Sequence, residues 1–568
     1  MARSLQVATA EELVDLGPVD DGASGYRYRY TVAPDGETPV LAETRGDDST
    51  HAFGVEVALA IGSGELDRSY AVAHGAGLWF SPVEVIASEA GRRAVLAPHA
   101  SMHPGSRLAT PITPECLGCH TDEPPPRAFP LNLRPASESW EPRGISCAAC
   151  HGRVEEHVAW QEAELEGGAS SGDDPVLSFR ELGRFEELSV CAACHLQGDA
   201  RLVLNEQELG PPPPGGDLLE QRALFVAATP TEEVGFVSQV ERLVLSSCFR
   251  ESEMTCTTCH DPHRSLSDAE ERNRTRAACT SCHPGDGSGG LLRVTSARPS
   301  ASPCSRDTAG GVETHAEQLQ RRIGEDCVSC HMPLGGVFDV AELQIHDHFI
   351  RRDGTDALGP RRPDELRFAE SPTGDWRRFT WPGEEPPAHV DDPGLWMMAY
   401  AGQEHFERAL ELVDRPPGPA AAGLAMYHHV RASLLESLGR EAEARRAYER
   451  ALELDPELAE SAINLGLLLG RLGEERTGVE LLDRVVERHP AAWGALRNRA
   501  VLRHGMGDGP GAVRDLEAAF RALPDATVAV ALAKHFAAAR ETERAAQWRR
   551  VARELDPLIP LPGPPGGP

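Results

Sequence analysis

Alternation of apolar and polar positions is clearest near the start of the chain. YRYRYTVA (26–33) puts every second residue on one face, and FGVEVALAIGSG (53–64) runs through β-type residues almost without a break. The pattern predicts a small β region within residues 1–100. Beyond it the periodicity fades. PPPR (124–127), PPPPGG (211–216) and a Gly/Ser/Pro stretch over 284–305 read as surface loops separating short helices. Residues 353–393 carry many prolines and charges with no period, and read as a linker or an extended packing arm. From residue 394 a helical period returns and persists to 557, after which PLIPLPGPPGGP predicts an unstructured tail over 558–568.

The helical part repeats. Gly439, Gly473 and Gly507 are spaced 34 residues apart, as are Pro456, Pro490 and Pro524. That is the tetratricopeptide period. In SLGREAEARRAYERALELDP, Gly439 ends one helix, Ala444, Tyr448 and Ala451 share a face of the next, and Pro456 stops it. A degenerate fourth copy ends at Pro557, and GLWMMAYAGQEHFERALELVD reads as a preceding helical pair. An ordinary helical bundle is the competing reading, but it does not require equal intervals for both Gly and Pro. The expected fold is mainly α, with four parts. A mixed β region (1–100) precedes a domain of sparse short helices and long loops (101–352), then the linker (353–393) and an α-solenoid (394–557).

Composition sharpens this picture. Across 568 residues the apolar share is 40%, the aromatic share 5%, and there are 54 Gly and 45 Pro, so something besides side chains is expected to fill part of the core. With 88 acidic and 56 basic residues the net charge is −32, and Lys534 is the only lysine. Such a field repels nucleic acid and anionic lipid, which excludes both as main partners. No run approaches eighteen apolar residues, so no membrane span is expected.

Twelve of the 14 cysteines form six C-x-x-C pairs, each followed at once by His. They are Cys116/Cys119/His120, Cys147/Cys150/His151, Cys191/Cys194/His195, Cys256/Cys259/His260, Cys279/Cys282/His283 and Cys327/Cys330/His331. This is the spacing of c-type haem attachment. Two thiols bind two vinyl groups of one porphyrin and the adjacent imidazole becomes the proximal iron ligand. Zinc knuckles are the alternative, but zinc does not need His after every second Cys. A disulfide framework fits less well, because cysteines two residues apart form strained redox pairs. Six haems in this region would supply the missing apolar core.

Six-coordinate irons need distal ligands. Nine further histidines precede residue 352: His51, His74, His99, His103, His157, His263, His315, His346 and His348. Of these, His157 in CHGRVEEHV, His263 in CHDPH, His315 upstream of Cys327 and His348 in IHDHFIRR are the distal candidates. Met254 and Met332 are possible thioether ligands, although Met332 directly follows a proximal His and is not expected to turn back onto the same iron. Cys248 and Cys304 lie outside the motifs and read as a disulfide or inert thiols.

The segments IGSGELDRSY, PECLGCH, GISCAACHGRVEEHV, CFRESEMTCTTCHDPH, DCVSCHMP and IHDHFIRR resemble bacterial multihaem c-type cytochromes of the nitrite-reductase and nitrifier-cytochrome superfamily that carry C-terminal tetratricopeptide repeats. The likeness spans about residues 50 to 352. It implies distal roles for His157, His263 and His348; the periplasmic or other extracytoplasmic location is expected from c-type haem attachment, which is performed outside the cytoplasmic membrane. Such proteins usually begin with an export signal and a further C-x-x-C-H, whereas MARSLQVATAEELVDL shows no apolar signal core. The expectation is therefore that the gene product starts upstream, with a signal and a seventh haem motif. The catalytic Lys ligand and Tyr crosslink of the superfamily's enzymes have no counterpart here, since Lys534 lies in the repeats and no Tyr occurs between Tyr70 and Tyr400.

Three functions compete. The favoured one is electron transfer outside the cytoplasm through six haems, with the repeats docking a redox partner protein. An oxidoreductase acting on a small nitrogen or sulfur oxyanion, or on hydroxylamine, at one open haem is the second. The third is a zinc-stapled adaptor.

Overall fold

The computed structural model describes residues 3–561 apart from 283–326, 352–375 and several shorter breaks. The chain divides into two compact units. One comprises Met1–Ser146, Leu202–Pro211 and Ala388–Pro568, the other Cys147–Arg201 and Pro212–Pro387. The last residues of the expected unstructured tail, 562–568, lie outside the described residues.

The first unit opens with nine strands. These are β1 (Leu5–Val7), β2 (Val19–Asp21), β3 (Tyr26–Val32), β4 (Pro39–Arg45), β5 (Asp48–Ile61), β6 (Asp67–His74), β7 (Gly77–Phe80), β8 (Val83–Ser88) and β9 (Gly91–Leu96). Seven run in the order β2-β3-β4-β5-β6-β8-β9, with β1 on β5 and β7 on β6. Strands β2 and β9 meet, which makes the sheet a nearly closed antiparallel barrel. This corrects the mainly α expectation: the chain is mixed α and β. Strands such as GLWF and VEVIAS are too short to show a period by themselves, and only their pairing reveals them.

Alternation places Tyr26, Tyr28 and Tyr30 in the barrel core and leaves Arg27 and Arg29 exposed. Tyr30 satisfies its buried hydroxyl on the Val83 carbonyl at 2.8 Å and on Ser81 Oγ at 3.1 Å. A register shift on β5 between Val57 and Leu59 lets this strand feed two cores. Val55 and Val57 join the tyrosines, while Leu59 and Ile61 pack with Leu5, Leu78, Ile112 and Leu117. Leu117 lies between the two cysteines of the first motif, so the barrel's second core anchors that motif.

The helical repeats complete the unit. Helix pairs span Ala425–Ser437 with Glu441–Leu454, Ala459–Arg471 with Glu475–Arg488, Trp493–Gly505 with Gly509–Ala522, and Ala526–Ala538 with Thr542–Leu555. The pair Pro393–Gly402 and Phe406–Leu412 precedes them. Ala444, Tyr448 and Ala451 are fully buried on one helix face, as their spacing predicts. The barrel holds the solenoid through its β6–β7 turn. His74 Nε2 donates to the Pro524 carbonyl at 2.7 Å and Ala76 N to that of Ala522 at 2.6 Å. No helix among the described residues is long and apolar enough to cross a membrane.

The second unit has a core of Leu188, Ala192, Leu196, Leu224, Val226, Leu243, Phe249, Phe379 and Trp381. Strand Trp376–Arg378, from the stretch that reads as a linker or packing arm, pairs antiparallel with Arg222–Ala227. The helix Arg184–His195, which ends in the third motif, lays Leu188 and Ala192 into this core.

Gly439, Gly473 and Gly507 each turn the first helix of a pair into the second at φ of 72°, 83° and 84°. In the last pair the equivalent place is taken by Arg540, at φ 63°. A side chain there costs about 1 kcal/mol relative to Gly. Arg540→Gly is expected to raise stability by about that amount, measured as an upward shift of the thermal unfolding midpoint.

Candidate haem site

Each described motif lies in a helix or a tight turn, which brings its two cysteines to one side and its His to the next position. The first motif starts on helix Pro114–Leu117 in the barrel unit, which carries Cys116 with its side chain exposed. That helix stops short of Cys119, the residue expected to bind the second vinyl group of this haem. Cys119 instead lies half-buried in the turn that follows, where His120 N donates to the Leu117 carbonyl at 2.7 Å. The first motif is thus split between a helix and a turn, because Leu117 is drawn into the barrel's second core between its two cysteines. Ser4 Oγ donates to the His120 carbonyl at 2.7 Å, and burial lowers the pKa of the His120 imidazole.

In the second unit, Cys147 caps helix Ala148–His151, which Gly152 ends at φ 65°. Cys191, Cys194 and His195 close helix Arg184–His195, and Cys256 opens a single helical turn. Cys279 and Cys282 close helix Ala269–Cys282, and Cys327–His331 is itself a helix. His103, His283, His315 and Cys304 lie outside the described residues, as do the side chains of Cys330 and His51. Among the described residues Cys248 has no disulfide partner.

Three of the motif histidines share one arrangement. His151 Nδ1 donates to the Leu177 carbonyl at 3.1 Å, His331 Nδ1 to that of Arg351 at 2.8 Å, and His195 Nδ1 to Gln239 Oε1 at 3.3 Å. Gln239 is itself held by its Nε2, which donates to the Phe236 carbonyl at 2.6 Å. Among the distal candidates, His157 Nδ1 donates to Asp174 Oδ1 at 2.6 Å, His263 Nδ1 to Asp261 Oδ1 at 3.1 Å and His348 Nδ1 to the His346 carbonyl at 3.0 Å. His346 follows suit, on the Met332 carbonyl at 2.8 Å. An imidazole that donates through Nδ1 presents Nε2 as a lone-pair donor in a fixed direction, which is the form an iron needs.

Two pairs of rings face each other. His151 and His263 have ring centroids 6.2 Å apart and planes 12° from parallel, and His260 and His348 are also 6.2 Å apart, at 32°. With a metal–nitrogen bond of about 2 Å and about 1.1 Å from nitrogen to ring centre, two imidazoles on opposite sides of one iron have centroids about 6.2 Å apart. Van der Waals stacking would bring parallel rings closer. In both pairs one member is a motif His and the other a distal candidate, so the residues present fit an axially ligated haem.

Burial, then the neighbouring His260, takes the His348 pKa down to about 4. Burial also lowers the pKa of His195, and His260 adds to the effect. Cys191 and Cys256, the first cysteines of two motifs, share a thiol hydrogen bond that pushes the Cys191 thiol up, with burial adding to it. The bond to His157 holds Asp174 below the usual carboxylate range. Burial pushes Asp347 up, but its bonds to Arg242 and Arg351 outweigh this and hold it below its ordinary value.

Other histidines of the first unit are engaged elsewhere: His74 on Pro524, and His99 against Phe80 at 6.0 Å between ring centroids. Met254 packs against the core of the second unit. Sequence reasoning missed the groups that orient the rings, Asp174, Gln239, and the carbonyls of Leu177 and Arg351. No spacing rule marks a backbone carbonyl that lies twenty or so residues from its partner.

Comparison with known proteins agrees with the motifs. The family model of the doubled CXXCH motif matches residues 249–288, and that of the tetratricopeptide repeat matches 425–458. Multiheme cytochrome MtrA of Shewanella baltica (strain OS185) is 26% identical over 161 residues, which are 25% of this chain and 42% of that protein. The chain thus spans about two fifths of the length of this curated relative. Among solved structures, the type IV pilus biogenesis factor PilW is 19% identical, with TM-score 0.27, over 30% of this chain and 78% of its own. MamA from Desulfovibrio magneticus RS-1 is 17% identical, with TM-score 0.27, over 30% of this chain and 98% of its own. The chain therefore joins CXXCH motifs for covalent c-type haem, of the kind found in multihaem cytochromes, to tetratricopeptide repeats.

Proposed function

We propose that this chain is an extracytoplasmic electron-transfer protein, with one covalent haem at each of its six motifs and the repeats as the docking surface for a redox partner protein. The observation that carries the reading is the two facing imidazole pairs at the separation of axial ligands. On this reading His263 is the distal ligand of the haem on Cys147 and Cys150, with His151 proximal. His348 is the distal ligand of the haem on Cys256 and Cys259, with His260 proximal. Cys116 and Cys119 hold the haem whose proximal ligand is His120, the one attachment that falls in the barrel unit. His157 and His315 remain distal candidates for other irons, and His195, His283 and His331 are the remaining proximal ligands.

Relay through haems requires neighbouring macrocycles, and the Cys191–Cys256 contact supports this by putting two attachment points side by side. Bound haem supplies one-electron redox chemistry. The protein's own contribution is to hold His151, His157, His195, His263, His331 and His348 through Nδ1, which raises their basicity and favours the ferric state. An extracytoplasmic location follows from the chemistry of haem attachment, which is carried out beyond the cytoplasmic membrane.

Two measurements test the proposal, on protein exported through a supplied signal in a host competent for c-type maturation. Intact mass and the alkaline pyridine spectrum are expected to give six haems per chain, and the double variant Cys191→Ser with Cys194→Ser five. A colourless, zinc-containing product would overturn the reading. The oxidised protein is expected to be low-spin, with no response to nitrite, hydroxylamine or sulfite. A high-spin component that shifts with one of these would favour the oxidoreductase. His263→Gly and His348→Gly are each expected to convert one haem to high spin, whereas His99→Ala is expected to leave the spectrum unchanged.

A further inference from the structure

Between the two histidines of IHDHFIRR lies a buried carboxylate that serves neither as a motif residue nor as a ligand. Asp347 is held by two arginines. Arg242, on helix Gln239–Leu243, donates from Nε to Oδ1 at 2.9 Å and from Nη2 to Oδ2 at 2.6 Å. Arg351 donates from Nη2 to Oδ2 at 2.9 Å. The side chains of Arg242 and Asp347 are 7% and 2% exposed. Both guanidinium groups lie by the Phe349 ring, at 5.7 and 5.3 Å from its centroid.

The brace fixes backbone as well as charge. Asp347 N donates to the Pro333 carbonyl at 3.0 Å and Phe349 N to Asp347 Oδ1 at 2.9 Å. Ser246 Oγ accepts from Ile350 N at 2.8 Å and donates to the His348 carbonyl at 3.3 Å. Arg351 N donates to the His331 carbonyl at 2.9 Å, and the Arg351 carbonyl accepts from His331 Nδ1 at 2.8 Å. His348 faces His260 from one side of the braced segment, while His331, the proximal residue of the last motif, leans on its far end.

We propose that the Arg242–Asp347–Arg351 brace positions axial ligands of two haems at once, His348 on the Cys256/Cys259 haem and His331 on the Cys327/Cys330 haem. This rests on the haem reading above. A buried ion pair seldom adds net stability over a well-packed apolar substitute, but its fixed geometry can define a single arrangement. Here two arginines share one carboxylate, so the segment cannot shift without leaving a buried charge unpaired. The two haems are thereby tied to one structural element, and a change at Asp347 reaches both.

The test compares the parent with Asp347→Asn in the full haem-loaded chain, reading haem count by intact mass, spin state by electron paramagnetic resonance and potentials by redox titration. The expected result is an unchanged haem count, one haem equivalent turned high-spin and returned to low spin by added imidazole, and an upward shift in the potentials of two haems. Loss of a basic Nδ1–H···O contact and of one negative charge both act in that direction. If Asp347→Asn does not accumulate as folded protein, Arg242→Lys carries the same readings, since it keeps the charge and loses the bidentate fork. A variant with all its haems and a parental spectrum and titration overturns the brace and leaves the haem reading standing. A parent that lacks haem at Cys256 and Cys259 overturns both, and the mass of the parent alone distinguishes the two failures.

Discussion

Orientation of imidazole rings through Nδ1 is the interaction that recurs across the second unit. A ring fixed by one nitrogen aims the lone pair of the other in a narrow direction, as the proposed iron ligation would require. The chain fixes these rings with backbone carbonyls at Leu177, His346 and Arg351 and, as often, with side chains at Asp174, Asp261 and Gln239. Elements that hold rings in this way need not be long. That is why helices of four or five residues, such as Ala148–His151 and Cys327–His331, are sufficient here although they would be marginal by themselves.

The first unit follows ordinary rules of burial. Its barrel closes on tyrosines and β-branched residues, and its repeats on alanine-rich helix faces with Tyr448 buried among them. The two meet at a turn in which Gly75 adopts φ 59°, with the Ala522 carbonyl 2.4 Å from where a Cβ would stand. The first CXXCH motif belongs to this unit and borrows its rigidity through Leu117. The third and fourth motifs instead draw on a modest core around Phe249, Phe379 and Trp381, which takes in Ala192 and Cys256.

Most of the chemistry was legible from the sequence, and most of the tertiary pairing was not. Six C-x-x-C-H motifs are recognisable because haem attachment is a local requirement, met within five consecutive residues. The solenoid is equally legible: each repeat packs on its neighbour, so the 34-residue interval is imposed by contacts between adjacent copies. Arg540 shows the limit of that pattern, since the backbone keeps the left-handed turn after the glycine is gone. The N-terminal β content was underestimated, because strands of four to six residues carry too few alternations to be read singly.

What the sequence by itself determined, then, is the six C-x-x-C-H motifs and the helical repeat, both properties of short stretches or of nearest neighbours along the chain. Only the tertiary structure decided that His263 faces His151 across more than a hundred residues, that His348 faces His260, and that β2 returns to β9. The physical reason is common to all three. A facing imidazole or a closing strand is selected by direction and distance in space, and neither quantity is encoded in the separation of residues along the chain.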